Sequence, residues 1–430
     1  MNNLGQNDGA MDRLRVLLIN PPIFDFTAYD FWSRPYGMFR VGGRLRNACE
    51  LSFFDFLVLE RRDPWGRGRF REEIVPKPAH FRDIPRRYRR FGRPRREFRE
   101  FLTRHRLDAA LIQTGMTYWY QGPKEAIEDL RELQPGAKIV LGGIYASLCP
   151  AHAHSLGADL VVEGADLEPL WRMLAVAPGD GLPYWDAAPG PVGVIKLTEG
   201  CPFRCTYCSV PVLSPQFRTR PLEECLMELR QLARLGVRQV AFYDDALLFQ
   251  PNEGLIPFLQ SVQREEIPVS FHTPNALNAR FLGKDLARLM VRCGVRNFFL
   301  GLESDSPEWQ EKTGGKVQSQ EFSDAVTSLK EAGAQSINAY IIVGHPDTDV
   351  HRIESAMRFA HQMGSRIVLS EFAPIPGTPD GERCREWADL DEPLSHNKTA
   401  FTIRRLGKEP VNRLKNLCRS LNATGKLGSA

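Results

Sequence analysis

The stretch TEGCPFRCTYCSVP, residues 198–211, sets cysteines at 201, 205 and 208 with no fourth cysteine close by. A structural zinc site takes four ligands and commonly supplies them as two pairs. No histidine stands near; the closest one downstream is His272. Three thiolates make an incomplete cage, which leaves one metal position for another molecule. Thiolates are the usual ligands of iron–sulfur clusters, so a four-iron cluster with one open iron is favoured over zinc.

The loop follows an apolar run, GVIKLTEG (193–200), that reads as a strand. Further strand patterns follow at 237–245, 268–274, 295–304, 336–344 and 366–377, with helical patterns between them that close on glycine. Six such βα units predict a partial barrel whose working residues sit at the carboxyl ends of its strands. The cysteine loop is at the first of these ends.

Upstream, RVLLINPP (15–22), SFFDFLVLE (52–60), DAALIQTG (108–115), AKIVLGG (137–143) and ADLVVEG (158–164) are short apolar runs alternating with helical segments. They predict a parallel sheet covered on both faces, a doubly wound domain of the Rossmann or flavodoxin-like kind. The Pro/Gly/Ala-rich stretch 176–192 reads as a linker. The expected fold is therefore α/β: a doubly wound domain over 13–175, the linker, a TIM-like (β/α)6 barrel over 193–380, and a short extension over 381–430.

Composition agrees with a soluble globular chain: 430 residues, 43% hydrophobic, 25% charged, net charge +4. No apolar run approaches a membrane span, and the start lacks a secretory pattern, so a cytoplasmic protein is expected. Nine cysteines, an odd and scattered number, do not read as a disulfide framework. A basic insertion, 62–106, contains the run RDIPRRYRRFGRPRREFREFLTRHR (82–106). Its arginines with Tyr88, Phe91, Phe98 and Phe101 suit nucleic-acid contact. The helical spacing of the phenylalanines instead favours an amphipathic helix laid on the sheet, which argues against nucleic acid as a partner.

The CPFRCTYC motif resembles the C-x3-C-x2-C signature of radical S-adenosylmethionine (SAM) enzymes, including the aromatic Tyr207 before the last cysteine. The resemblance implies that Cys201, Cys205 and Cys208 hold a [4Fe-4S] cluster whose open iron chelates SAM. One electron, from a donor such as flavodoxin or ferredoxin, then releases a 5′-deoxyadenosyl radical. It also implies SAM contacts by Tyr207, by Asp244 and Asp245 in YDDA, by Glu303 and Ser304 in GLES, and by Gly344 in VGHP. Arg218 and Arg220 either reach the SAM carboxylate or pair with nearby acids; His345 is a proton donor or structural.

The stretches MTYWYQG, IVLGGIYASL and ADLVVEG resemble the cobalamin-binding domain that precedes the barrel in one subgroup of these enzymes. This implies a corrinoid near Asn20, Pro21 and Thr114, with its tail against Gly142, Gly143, Ala146 and Ser147, where small residues permit close approach. The Asp-x-His-x-x-Gly motif that ligates cobalt in many cobalamin proteins is absent, so no histidine of the first loop serves. His152 and His154 either approach the corrinoid or lie in a polar loop. The resemblance implies methyl transfer to an unreactive centre. The alternatives are a radical rearrangement, cyclisation or oxidation, and a non-catalytic cobalamin or redox sensor. The substrate is not legible. Cys384 and Cys418 are too few for a second cluster.

Overall fold

The computed structural model describes residues 13–424. The polar leader 1–12, on which the expectation about a secretory start falls, and residues 425–430 of the extension lie outside the described residues.

The first sheet has five parallel strands in the order Leu160–Val162, Lys138–Gly143, Ala109–Thr114, Leu14–Asn20, Cys49–Asp55. In strand Leu14–Asn20, Val16, Leu17, Leu18 and Ile19 are all fully buried. Alternate side chains face opposite ways. Leu17 and Ile19 pack with Phe98 and Leu130 of helices Arg95–Arg104 and Gln121–Leu133. Val16 and Leu18 pack with Met38 and Leu45 of helix Tyr36–Leu45. The chain moves outward one way from the first strand and then the other, so the order reverses between Asn20 and Thr114. In open α/β sheets such a reversal splays the loops and opens a crevice.

The second sheet has six parallel strands: Val192–Ile195, Gln239–Phe242, Ser270–Leu277, Val295–Glu303, Ser336–Val343 and Arg366–Glu371. Its outer strands do not pair with each other, so the barrel is open. The loop after the first strand of the first sheet enters its interior. There Trp32 stacks on His272 with ring centroids 4.4 Å apart, and Phe31 meets Phe299 edge-on at 5.1 Å. The Tyr243 hydroxyl donates to the Trp32 carbonyl at 2.6 Å, and Trp32 holds a left-handed φ of 59°. The barrel interior is thus completed by the other domain.

The basic insertion is only partly helical. Leu59–Arg62 pairs with Gly68–Phe70, and Arg89–Phe91 lies between Ile23–Asp25 and Glu72–Ile74 before helix Arg95–Arg104 begins after Pro94. Phe98 is buried on that helix as its spacing predicts, whereas Tyr88 and Phe91 are buried apart from it. Arg90 pairs with Glu125 at 2.7 Å, and Arg95 and Arg99 converge on buried Asp129. These arginines serve packing and pairing inside the chain.

The C-terminal helices Lys398–Leu406 and Lys408–Thr424 clasp the two domains together. The Asn422 side chain bonds both the N–H and the carbonyl of Ile367, covering the edge of the last barrel strand. Asn397 donates to Asp25 at 2.9 Å, and His396 bonds Thr117 at 3.0 Å, both reaching the first domain. Among the described residues no helix is long and apolar enough to cross a membrane.

Candidate functional site

The first barrel strand runs into a short ribbon in which Thr198–Glu199 pairs with Arg218–Thr219. Gly200 turns the chain with φ 72°, its α-carbon against the Gln216 carbonyl, where a side chain has no room. Cys201, Cys205 and Cys208 follow; the first two are buried and the third half-buried. Their sulfurs do not all lie within 4.8 Å of one another. A single zinc ion with bonds of about 2.3 Å would hold thiolates roughly 3.8 Å apart. The spread fits a larger inorganic core better than one ion. Burial raises all three thiols, Cys208 to about 11, and the Lys316 ammonium opposes that rise at each. A cation beside three buried thiols favours the thiolate form that binds metal.

The middle of the loop is held by a buried network. Thr206 donates its N–H to the Thr313 carbonyl at 3.3 Å and its hydroxyl to Asp380, whose own N–H returns to the Thr206 carbonyl at 3.0 Å. His345 donates through Nε2 to Asp380 at 3.0 Å. Its Nδ1 accepts from the Trp309 indole and the Asp347 N–H, both at 3.2 Å, which sets the tautomer. Trp309 in turn stacks on Tyr207. His345, Asp347 and Asp380 have metal-like spacing. Asp347 is already committed to Arg383 and Lys312, and Asp380 to Thr206 and Arg383, so the cluster reads as a structural brace.

Glu303 closes the fourth barrel strand at a register shift, with φ 65°. A non-glycine residue held there is strained, and such strain gathers at working sites. Burial pushes its carboxyl up to about 7, opposed by Lys316. The side chain folds back over Gly301, where a β-carbon would lie 2.8 Å from Oε1. Asp244 is buried, and burial pushes it up to about 6. One oxygen accepts from the N–H groups of Leu197 and Thr198 and from the Thr198 hydroxyl; the other has no partner among the described residues. Asp245 pairs with Lys196 at 3.2 Å. Ser304 is turned to local work, its hydroxyl accepting from the Ser306 N–H and its carbonyl from Gln310. Gly344, at φ 87°, is needed because Thr402 of the C-terminal helix sits 2.6 Å from where its β-carbon would be.

The structure thus gathers the three cysteines and Glu303 around Lys316, a residue the sequence did not point to, with Tyr207 against Cys205 and Glu303. The pair Gly314–Gly315, both left-handed, carries the chain close over Cys205 and delivers the lysine. Arg218 pairs with Glu199, and Arg220 with buried Glu228 and Tyr36, so both are spent on acids and a phenol of the chain.

A cavity of about 750 Å³ opens at the strand-order reversal of the first sheet and extends to the barrel strands. Asn20, Pro21 and Thr114 line it on one side, Tyr243, Tyr340 and Glu371 on the other. Gly142, Gly143, Ala146 and Ser147 lie beside it, while Ile144 and Tyr145 between them reach the lining. Gly143 (φ 111°) packs on the Thr114 carbonyl and has no room for a β-carbon, whereas one on Gly142 meets only Val162, at 3.7 Å. The Thr114 hydroxyl donates to the Gly142 carbonyl and accepts from the Ala146 N–H; that of Ser147 donates to the Gly143 carbonyl. Three large apolar side chains of the lining, Tyr29, Met116 and Ile144, are exposed, as expected of a rim that a bulky ligand covers. No histidine lines the cavity: His152 bonds Tyr145 and His154 faces Glu163.

Residues 195–360 match the Radical SAM superfamily. An uncharacterized methyltransferase of Pyrococcus horikoshii is 26% identical over 223 residues, 51% of this chain and 45% of that protein. The chain spans about half the length of that relative. Among solved structures, the radical SAM methyltransferase TsrM from Kitasatospora setae, with cobalamin and a [4Fe-4S] cluster bound, superposes with a TM-score of 0.67. The match covers 97% of this chain and 96% of TsrM at 16% identity. The cobalamin-dependent SAM radical enzyme OxsB gives 0.59 at 13% identity, over 95% of this chain and 61% of its own. The barrel is a radical SAM domain, and the whole chain has the two-domain fold of these cobalamin-dependent enzymes.

Proposed function

We propose that this protein is a cobalamin-dependent radical SAM methyltransferase that works in the cytosol with a one-electron protein donor. One observation carries the reading: a single cavity joins the carboxyl edge of the first sheet to the interior wall of a barrel that bears a three-thiol loop. When bound, the cluster, SAM and the corrinoid supply one-electron cleavage of a sulfonium and a transferable methyl group.

The chain's own residues hold and orient. Cys201, Cys205 and Cys208 are the ligands of the cluster. Asp380, His345 and Trp309 brace their loop from behind, as outer partners do at metal sites. Lys316 is placed to receive a carboxylate and Glu303 to accept from an ammonium or hydroxyl of SAM; Asp244, Asp245, Ser304 and Gly344 shape the same face. Asn20, Pro21 and Thr114 support the corrinoid, with Gly142, Gly143, Ala146 and Ser147 leaving space for its tail. The aromatic walls exclude water from a radical reaction.

Anaerobic reconstitution with iron, sulfide, hydroxocobalamin and SAM tests the proposal. Cluster absorbance, a bound-corrinoid spectrum and 5′-deoxyadenosine or methylated product are expected together. A protein that fills its cluster and takes up no corrinoid would withdraw methyl transfer through cobalt.

A further inference from the structure

Apart from Tyr29 at the exposed rim, the tyrosines of the cavity wall have little to offer as donors. Tyr243 gives its hydroxyl to the Trp32 carbonyl, Tyr340 to the Pro274 carbonyl at 2.8 Å, and Tyr145 bonds His152. With Phe31, Phe70 and Trp119 they make the wall largely aromatic. Of the four charged lining residues Arg34 is paired with Asp30, and the other three, Glu371, Lys398 and Lys415, stand where the last barrel strand meets the C-terminal helices. Glu371 is already committed: Lys415 lies 2.6 Å from one oxygen, and Thr399 donates to the other at 2.5 Å.

Lys398 is different. It acts on Glu371 and Asp25 at longer range but stands within ion-pair distance of no carboxylate among the described residues. It is also the first residue of its helix, whose opening turn has no acidic residue and is capped by Asn397. A cation at a helix amino end opposes the helix dipole; Glu371 and Asp25 offset this only at longer range, so an anion received at Lys398 would be stabilised. The amides around the corrin ring are neutral, and the corrinoid's one phosphate belongs to the nucleotide tail, assigned above to the glycine edge of the first sheet.

We infer that the substrate is a flat, apolar molecule bearing a carboxylate or phosphate, and that Lys398 holds this anionic group. The inference rests on the cavity being the reaction chamber. The aromatic faces take the body of the substrate, and the C-terminal clasp selects its head.

The test uses reconstituted full-length protein and three probes of one shape: 1-naphthylacetate, 1-naphthyl phosphate and the neutral 1-naphthylacetamide, followed by equilibrium dialysis. At least one anion should bind about tenfold or more tighter than the amide, the size of one charge-assisted hydrogen bond. Lys398→Met should erase the preference and Lys398→Arg should keep it. Should Lys398→Met fail to fold by circular dichroism, Lys398→Gln serves in its place. Neither anion exceeding the amide, or a preference untouched by Lys398→Met or Lys398→Gln, would overturn the inference. Iron, corrinoid spectrum and 5′-deoxyadenosine are read on the same samples. Their failure with the anion preference intact would sink the catalytic reading alone.

Discussion

The cysteine loop and the carboxyl edge of the first sheet are read as cofactor sites, yet they are built in opposite ways. The loop is closed: two of its thiols are buried, and Thr206 and Tyr207 are held by Asp380, Thr313 and Trp309. The edge is open, a cavity of about 750 Å³ with an exposed apolar rim. A metal core is ligated by particular atoms, so its site demands particular residue types. A corrinoid approached through its periphery demands room, and room can be left by many residues.

The sharpest way to break this contrast is to remove the ligands. Replacing Cys201, Cys205 and Cys208 together by Ala should abolish cluster absorbance and 5′-deoxyadenosine while corrinoid uptake stays near wild type. Corrinoid lost in parallel would mean that the two sites are one unit. Next in size is Lys316→Met. It should keep its iron but weaken SAM about 10- to 100-fold, the loss of one charge-assisted hydrogen bond, as read by equilibrium binding.

The open edge is tested by neighbouring glycines. Gly143→Ala should destabilise the fold by about 1–3 kcal/mol in denaturant unfolding, because φ 111° and the Thr114 carbonyl both oppose a side chain. Gly142→Leu should leave stability nearly unchanged and impair corrinoid uptake. Equal effects of the two would remove the distinction between a strained turn and a ligand-facing surface.

The smallest effect concerns the stacked pair beneath the cavity. Burial pushes His272 down to about 3, so it is neutral in the fold and protonates on unfolding below about pH 6.5. Its contribution is complete above that pH and declines as pH falls towards the folded value. Between pH 6 and 5 the wild type should therefore lose about 1 kcal/mol more than His272→Gln. Parallel unfolding curves would show that His272 is solvated.

Much of this was legible in the letters. The eleven strands of the two parallel sheets all overlap apolar runs read from sequence, because most are buried on both faces; the edge strands Cys49–Asp55 and Arg366–Glu371 are mainly half-buried. The barrel and the doubly wound domain followed from that rhythm. Lys316 was not legible, since a lysine after two glycines is ordinary until both take left-handed φ and turn it toward Cys205. Nor was the brace: Asp380 and Thr206 are 174 residues apart and meet only in the folded chain. The arginine run misled in part because Arg90 lies in a three-stranded ribbon and is buried against Glu125, a pairing no helical period announces.

Trp32 has a consequence for how such proteins are assembled from parts. It belongs to the first domain but is fully buried against the second, on His272. Cutting the chain in the linker would leave the barrel a hollow that one indole normally fills, a defect on the order of 3–5 kcal/mol. During synthesis the plug emerges from the ribosome long before the strands that receive it, so the early domain waits with an apolar loop uncovered. Exchange of barrels between relatives would then succeed only when the loop travels with its socket, making loop and barrel the unit of inheritance.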